Sequence, residues 1–305
     1  MGLFHSFLIG CNELSTPNKT SRPSTGITFT DDAGRIITLN APAKRIVAGS
    51  SFSLELLMAI NHPPVLRPDV PDHKIHPTSA KFIPSLSIEH GAGPDLETIA
   101  MADSDLIILH INFLPFAENI SKALNIPVAL LEIRSVESVL HHLELLGRIT
   151  GKTKTAAVQI ATLEARITKV ISKDPMPKLS VLPLFGTPEA FYGYRKTSYL
   201  GSMIDILGMQ NLTANKAAFG RMHSISPLNL ELIVGSNPEV ILIVPHGPPQ
   251  AVLNYLSSHP AWSKLDAVQT GRVHILDEVL FSSNPGPRAP EALTKLKELL
   301  NPSSP

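Results

Sequence analysis

The hydrophobic pattern is most regular near the middle of the chain. Over 152–173 the apolar residues Ala156, Ile160, Leu163, Ile167 and Val170 recur at spacings of four, three, four and three, which places them on one helical face. Lys, Gln and Glu fill much of the remainder. Gly151 precedes the stretch, Pro175 and Pro177 follow it, and neither residue type interrupts it. The pattern predicts an uninterrupted helix roughly 33 Å long at about 1.5 Å per residue.

Before that helix, strand-like and helix-like patterns alternate. Ile27–Thr30 and Ile36–Leu39 flank an Asp/Gly turn and predict a hairpin. The run 45–48 reads as a short buried strand, and 49–53 turns into a helix over LELLMAI with a serine available as N-cap. Residues 61–78 carry five prolines and read as irregular, with a short strand expected at Phe82-Ile83. Pro94 opens a helix, 105–109 is a strand, 116–124 a helix, 127–131 a strand and 136–146 a helix. Such alternation predicts a parallel α/β sheet.

After the long helix the pattern returns. Residues 179–182 read as a strand, followed by a loop rich in Gly, Tyr and Pro and a helix over 198–207. Pro227 opens another helix, 239–244 is a strand, 252–256 helical, 273–276 a strand and 290–300 a closing helix. Leu96-Glu97-Thr98-Ile99 matches Leu230-Glu231-Leu232-Ile233 at an offset of 134, and the strands starting at Asp105 and Arg45 meet Glu239 and Leu179 at the same offset. One offset shared by three elements implies a duplication. The expected fold is α/β, with two Rossmann-like lobes joined by one long spanning helix. The expected boundaries are 1–25 for a leader and tether, 26–150 for the first lobe, 151–174 for the helix and 175–305 for the second lobe. Ligands of open α/β sheets sit at the carboxyl ends of strands, so the ligand cleft is expected between the lobes.

Composition narrows the function. Lys plus Arg equals Asp plus Glu at 26 each, which leaves no basic footprint for a nucleic acid. The single cysteine excludes an internal disulfide and a cysteine-rich zinc or iron–sulfur site, and with it a nitrogenase-type enzyme of similar lobed build. That cysteine ends Leu8-Ile9-Gly10-Cys11, which fits a bacterial lipobox, and the polar Ser/Thr/Pro-rich stretch after it suits a tether. Met1 to Phe7 departs from a signal peptide, supplying no Lys or Arg and little apolar length. Enzyme motifs fail: Gly147 and Gly151 have three residues between them where a phosphate loop needs four, and no Gly-x-Ser-x-Gly or Gly-x-Gly-x-x-Gly follows a strand.

The segments ITFTDDAGRIITLNAPAKRIVAGS, PDLETIAMADSDLIIL, LLGRITGKTKTAA, SYLGSMIDILGMQN, HPAWSKLDAVQTGRVHIL and NPGPRAPEAL, in that order, resemble the helix-linked (class III) substrate-binding proteins of ABC importers for iron-siderophores, haem and cobalamin. The resemblance covers roughly 26–300. It implies a non-enzymatic extracytoplasmic receptor, lipid-anchored or periplasmic, without a resident cofactor, that hands an iron chelate or cobalamin to a permease dimer with its ATPase; a monomer with its lipid anchor at Cys11 is the expectation here. It also implies docking through an acidic residue on each lobe. Glu55 stands at that place in the first lobe; Ser202 stands at the equivalent place in the second, with Asp205 one turn on as a substitute.

The candidate ligand contacts are the residues expected at the cleft. Ser50, Ser51 and Phe52 open the first helix, whose free N–H groups suit an anion. His110 ends a strand with Phe113 beyond it, and His246 ends the corresponding region of the second lobe. Tyr192, Tyr194, Arg195 and Tyr199 cluster after the first strand of that lobe, where Tyr stacks on or ligates a flat chelate and Arg clamps a carboxylate. Arg221 and His223 lie in a second loop, and Phe281 and Arg288 near NPGPR. His73, His76 and His90 raise the alternative of a receptor for bare Zn, Ni or Co ions, although no paired-histidine helix motif accompanies them.

Overall fold

The hairpin of β1 (Ile27–Thr30) and β2 (Ile36–Leu39) pairs in antiparallel register, with Thr30 opposite Ile36. Asp31 closes its turn by accepting the N–H groups of Ala33 and Arg35, and its second oxygen takes the Arg35 guanidinium and the Leu130 N–H. One buried carboxylate therefore ties the hairpin to a strand a hundred residues away. The computed structural model describes residues 26–89, 91–172, 176–220, 222–283 and 286–301; Cys11, His90 and Arg221 lie outside them.

The N-terminal half is built on three parallel strands in the order β3 (Ile46–Ala48), β8 (Leu106–His110), β9 (Val128–Leu131). Two short pairs lie between β3 and β8 in sequence. These are β4 (Arg67–Pro68) with β5 (Ser85–Leu86), parallel, and β6 (Ile88–Glu89) with β7 (Gly93–Pro94), antiparallel. The strand expected at Phe82-Ile83 is absent. Phe82 ends a short 3-10 turn and its ring is 92% exposed, so it has no sheet to pack into. Helices α1 (Ser51–Ala59), α2 (Leu96–Met101), α3 (Leu114–Leu124) and α4 (Val136–Ile149) cover the sheet. Their starts follow from local capping. Ser50 and Ser53 form a capping box for α1, Asp95 caps α2, and Ser135 with Ser138 caps α4.

The predicted central helix is α5 (Thr153–Ser172), 20 residues without a break. Ala156 and Leu163 are buried, and Ile160, Ile167 and Val170 pack partly against the same cluster, so the apolar face lies where the spacing put it. Gly151 makes the turn from α4 in the left-handed region, φ 72°, which favours glycine. Gly147 lets α4 and α5 touch: a Cβ there would collide with Ala156.

In the C-terminal half β10 (Ser180–Thr187) pairs in parallel with β14 (Val240–Pro245), which pairs in parallel with β15 (Val273–Ile275). This triple has the form of β3-β8-β9. Helices α6 (Tyr199–Ile206), α7 (Leu230–Ser236), α8 (Pro249–Ser258), α9 (Asp266–Gln269) and α10 (Ala289–Leu300) complete it. β3, α2 and β8 begin at 46, 96 and 106, and β10, α7 and β14 at 180, 230 and 240, each 134 further on. The expected Gly/Tyr/Pro-rich loop is instead largely a strand. β11 (Ala190–Tyr194) folds back on β10 with Thr187 opposite Ala190, and β13 (Ile225–Pro227) pairs with β11. The short β12 (Gln210–Asn211) adds to β10 in parallel. The largest apolar cluster runs through both halves, from Phe52 and Leu146 through Leu163 to Met203 and Leu293.

Candidate functional site

The C-terminal ends of β14 and β15 open into a cavity of about 580 Å³, within the usual range for a small-molecule site. His246, just after β14, lines it with Pro245, Gly247 and residues 275–278, and Lys74 reaches it from the N-terminal half. His246 is exposed; its N–H donates to Gly186 O at 2.8 Å, and its ring lies 5.9 Å from that of Phe185. The backbone thus holds the residue while the imidazole faces open space. Lys74 Nζ meets Glu278 Oε2 at 3.0 Å, joining the two halves at the cavity wall.

A larger cavity of about 1160 Å³ lies beside the first. The two share residues 275–277 as a wall, and the larger adds His73, His76, Phe281 and Arg288 together with Arg166 and Lys169 of α5. Burial and the nearby Arg288 charge hold the His76 imidazole below its ordinary range. Among the described residues no group of three His, Cys, Asp or Glu side chains could hold a metal ion.

Several expected contacts take structural roles instead. Glu55, expected as a docking carboxylate, is only 4% exposed. Its two oxygens accept from Arg288 Nε at 3.0 Å and Nη2 at 2.9 Å, a bidentate pair between α1 and the start of α10. Burial raises the Glu55 carboxyl above its ordinary value even against this pairing. Burial also opposes the Arg288 charge, but the bond to Glu55 outweighs it and holds the guanidinium above its ordinary value. Glu55 is thus enclosed by its ion pair, unlike the surface carboxylate that was expected, and Arg288 commits Nε and Nη2 to that pair while lining the larger cavity. Ser202 is half-buried, donating to Tyr199 O and accepting from Val136 N at 3.3 Å, while Asp205 is exposed.

The tyrosine cluster divides. Tyr194 donates to Ser282 Oγ at 2.9 Å, and Tyr199 is buried with a hydroxyl that meets no partner among the described residues. Burial pushes both phenols well above their ordinary value. Tyr192 stays half-buried, its ring 4.9 Å from that of Phe219. Arg195 donates to the carbonyls of Lys216 and His223 at 2.7 and 2.6 Å, fastening a loop, and His223 is exposed on that loop. Phe52, Phe113 and Phe281 are buried. Ser50 Oγ accepts the Ser53 N–H, and Ser53 Oγ the Ser50 N–H, so the serines serve the helix start; Ser51 is half-buried beside them. His110 packs edge-on against Phe52, with Nδ1 accepting from Asn112 N at 3.2 Å. Lys74 and Glu278 escaped the sequence reading: Lys74 lies in a proline-rich stretch without pattern, and its partner is 204 residues away.

The profile described as periplasmic binding protein matches residues 46–280, most of the chain. The chain belongs to the periplasmic binding protein family. It is 30% identical over 135 residues to the "High-affinity heme uptake system protein IsdE" of Staphylococcus aureus (strain bovine RF122 / ET3-1), a match that spans 43% of this chain and 44% of that relative. The chain thus aligns with less than half the length of the curated relative. Solved structures extend the fold further. An ABC transporter substrate-binding protein from Listeria monocytogenes EGD-e superposes with a TM-score of 0.73 at 24% identity, over 84% of this chain and 98% of that one. S. aureus IsdE complexed with heme superposes at 0.71 and 23% over the same shares. The ABC-type Fe3+-hydroxamate transport protein of Saccharomonospora viridis DSM 43017 gives 0.66 and 20% over 90% and 98%. The family's mixed α/β fold is therefore the fold of this chain. No described helix is long and apolar enough to cross a membrane.

Proposed function

We propose that this protein is an extracytoplasmic solute-binding receptor of an ABC importer whose cargo is an iron chelate of the haem type. In this reading the two halves are lobes bridged by α5, and cargo sits between them at the ends of β14 and β15. The receptor does no chemistry. It passes cargo as a monomer to a permease dimer with its ATPase, and Cys11 carries the lipid that keeps it at the membrane.

The observation that carries the reading is His246: an exposed imidazole, fixed by its backbone at a strand end, facing a cavity between the halves. A neutral imidazole is an axial ligand for haem iron, and a ring nitrogen in that position offers itself to a flat chelate entering from solvent. The haem-uptake relatives support the choice of cargo. The Fe3+-hydroxamate relative keeps a siderophore as the second reading. Asp205, exposed on α6, is retained as a permease contact of the C-terminal lobe, with Glu55 withdrawn.

Titration with haemin tests the reading. A saturable shift of the haemin Soret band by the wild type that His246→Ala abolishes, with melting temperature unchanged, supports it. A wild type that binds a ferric hydroxamate and does not shift the Soret band of haemin favours the siderophore.

A further inference from the structure

The smaller cavity has no aromatic ring in its lining besides the imidazole of His246. Small-molecule sites are lined mainly by apolar and aromatic side chains. Here the rings begin where the lining ends. Phe185, near the end of β10, holds its ring 5.9 Å from that of His246, and the Gly186 carbonyl beside it accepts the His246 N–H. Tyr192 of β11 stands directly opposite Phe185 in the antiparallel register, so their side chains share one face of the sheet. Both pack against the apolar cluster that runs through the two halves. Phe191, next to Tyr192, turns to the other face and meets the Trp262 ring at 5.4 Å. The Tyr192 ring lies 4.9 Å from that of Phe219, which is 39% exposed. A run of rings therefore leads from His246 out to solvent.

The segment that carries Phe219 is fastened. Arg195, just after β11, donates from Nε to Lys216 O at 2.7 Å and from Nη1 to His223 O at 2.6 Å, one bond on each side of Phe219. Thr197 donates to the same His223 carbonyl, and the Phe219 N–H to Ile225 O at 3.0 Å. A large apolar side chain held exposed on a fixed backbone has little ordering left to lose when a ligand covers it.

We infer that Tyr192 and Phe219 form a stacking platform that extends the cargo site beyond the cavity, and that Arg195 is the residue that positions it. The inference rests on the haem-type reading above and deepens it. The face of a planar macrocycle that presents its metal to His246 covers the rings beside His246. Such ring contacts do not depend on the metal. The platform favours flat aromatic cargo over a compact ferric hydroxamate, which has no face to stack.

Haemin and iron-free protoporphyrin IX separate the platform from the metal contact. Haemin is followed by its Soret shift and protoporphyrin IX by its fluorescence, each titrated into the full chain. Phe219→Ala is expected to weaken both porphyrins about five- to twentyfold, and Phe219→Tyr, which keeps a ring, to bind both as the wild type does. Arg195→Met should reproduce the loss, and Arg195→Met with Phe219→Ala should bind no more weakly than Phe219→Ala alone, because both changes remove the same contact. Additive losses in the double variant overturn the positioning role of Arg195. Wild-type binding of both porphyrins by Phe219→Ala overturns the platform while leaving the receptor reading intact. A wild type that takes up neither porphyrin overturns both. Melting temperatures within a few degrees of wild type establish that each variant is folded.

Discussion

The two halves of this protein start from the same pattern and end differently. Each has three parallel strands with helices at matching positions 134 residues apart. Each also places a histidine where its middle strand ends. In the N-terminal half His110 packs against Phe52 and accepts from Asn112. In the C-terminal half His246, its ring 5.9 Å from that of Phe185, is exposed beside a cavity. Residue type is alike, but the offset of 134 sets His110 opposite Val244, two residues before His246, and what each backbone does next differs as well. The N-terminal strand runs straight into a 3-10 turn that folds the ring back over α1. The C-terminal strand passes through Pro245 into Gly247, φ 114°, which carries the chain away from the ring. A duplicated frame fixes where a site can be, and the few residues after each strand decide which copy uses it.

The comparison breaks most severely at the buried ion pair between α1 and the start of α10. Glu55→Ala should cost about 3–5 kcal/mol in chemical denaturation, because Arg288 is then left half-buried without its partner. The pair Glu55→Met with Arg288→Met should recover much of that loss, since the site then holds no charge; recovery in the double variant distinguishes a buried pair from a generic packing defect. Next comes the closeness of the C-terminal half. A Cβ at Gly201 would run into the Arg195 carbonyl, so Gly201→Val should destabilise by about 1–3 kcal/mol. Tyr194→Phe should cost about 0.5–1.5 kcal/mol through the lost bond to Ser282 and leave haemin binding unchanged. Loss of the haemin Soret shift in that variant would return the tyrosine to the site.

The smallest expected effect is on pH. Burial lowers the imidazoles of His62 and His274 below their ordinary value, and the Nε2 of each lies buried without a hydrogen-bond partner among the described residues. A base whose folded value is depressed leaves the unfolded chain with more bound protons below about pH 6.5. Stability is therefore full above that point and declines as the pH falls toward the folded values. Melting temperature should be lower at pH 5.5 than at 7.5, and His274→Gln should flatten the slope. A slope unchanged in that variant would remove His274 from the account.

The sequence made the frame legible because its signals are local. Capping serines, the α5 periodicity and the shared offset each depend on residues within one element or its copy. The hairpin of β10 and β11 was missed because Gly186, Tyr192, Gly193 and Tyr194 look like loop residues, and no counterpart in the first half suggested a strand. The site was only partly legible, since each role is set by a partner far off in sequence. Arg288 reads as a free guanidinium until Glu55, 233 residues away, is placed beside it. Arg195 reads as a ligand clamp until its loop carbonyls arrive. His246 stays a candidate because the fold leaves it exposed beside a cavity at the end of β14.

The central claim is that cargo lies between the halves at His246. The most direct measurement is the haemin Soret titration of His246→Ala beside His110→Ala, each checked for an unchanged fold by circular dichroism. The account predicts that the binding-induced Soret shift is lost in His246→Ala and retained with wild-type affinity in His110→Ala. Equal binding by His246→Ala and the wild type, or loss in His110→Ala alone, would contradict it.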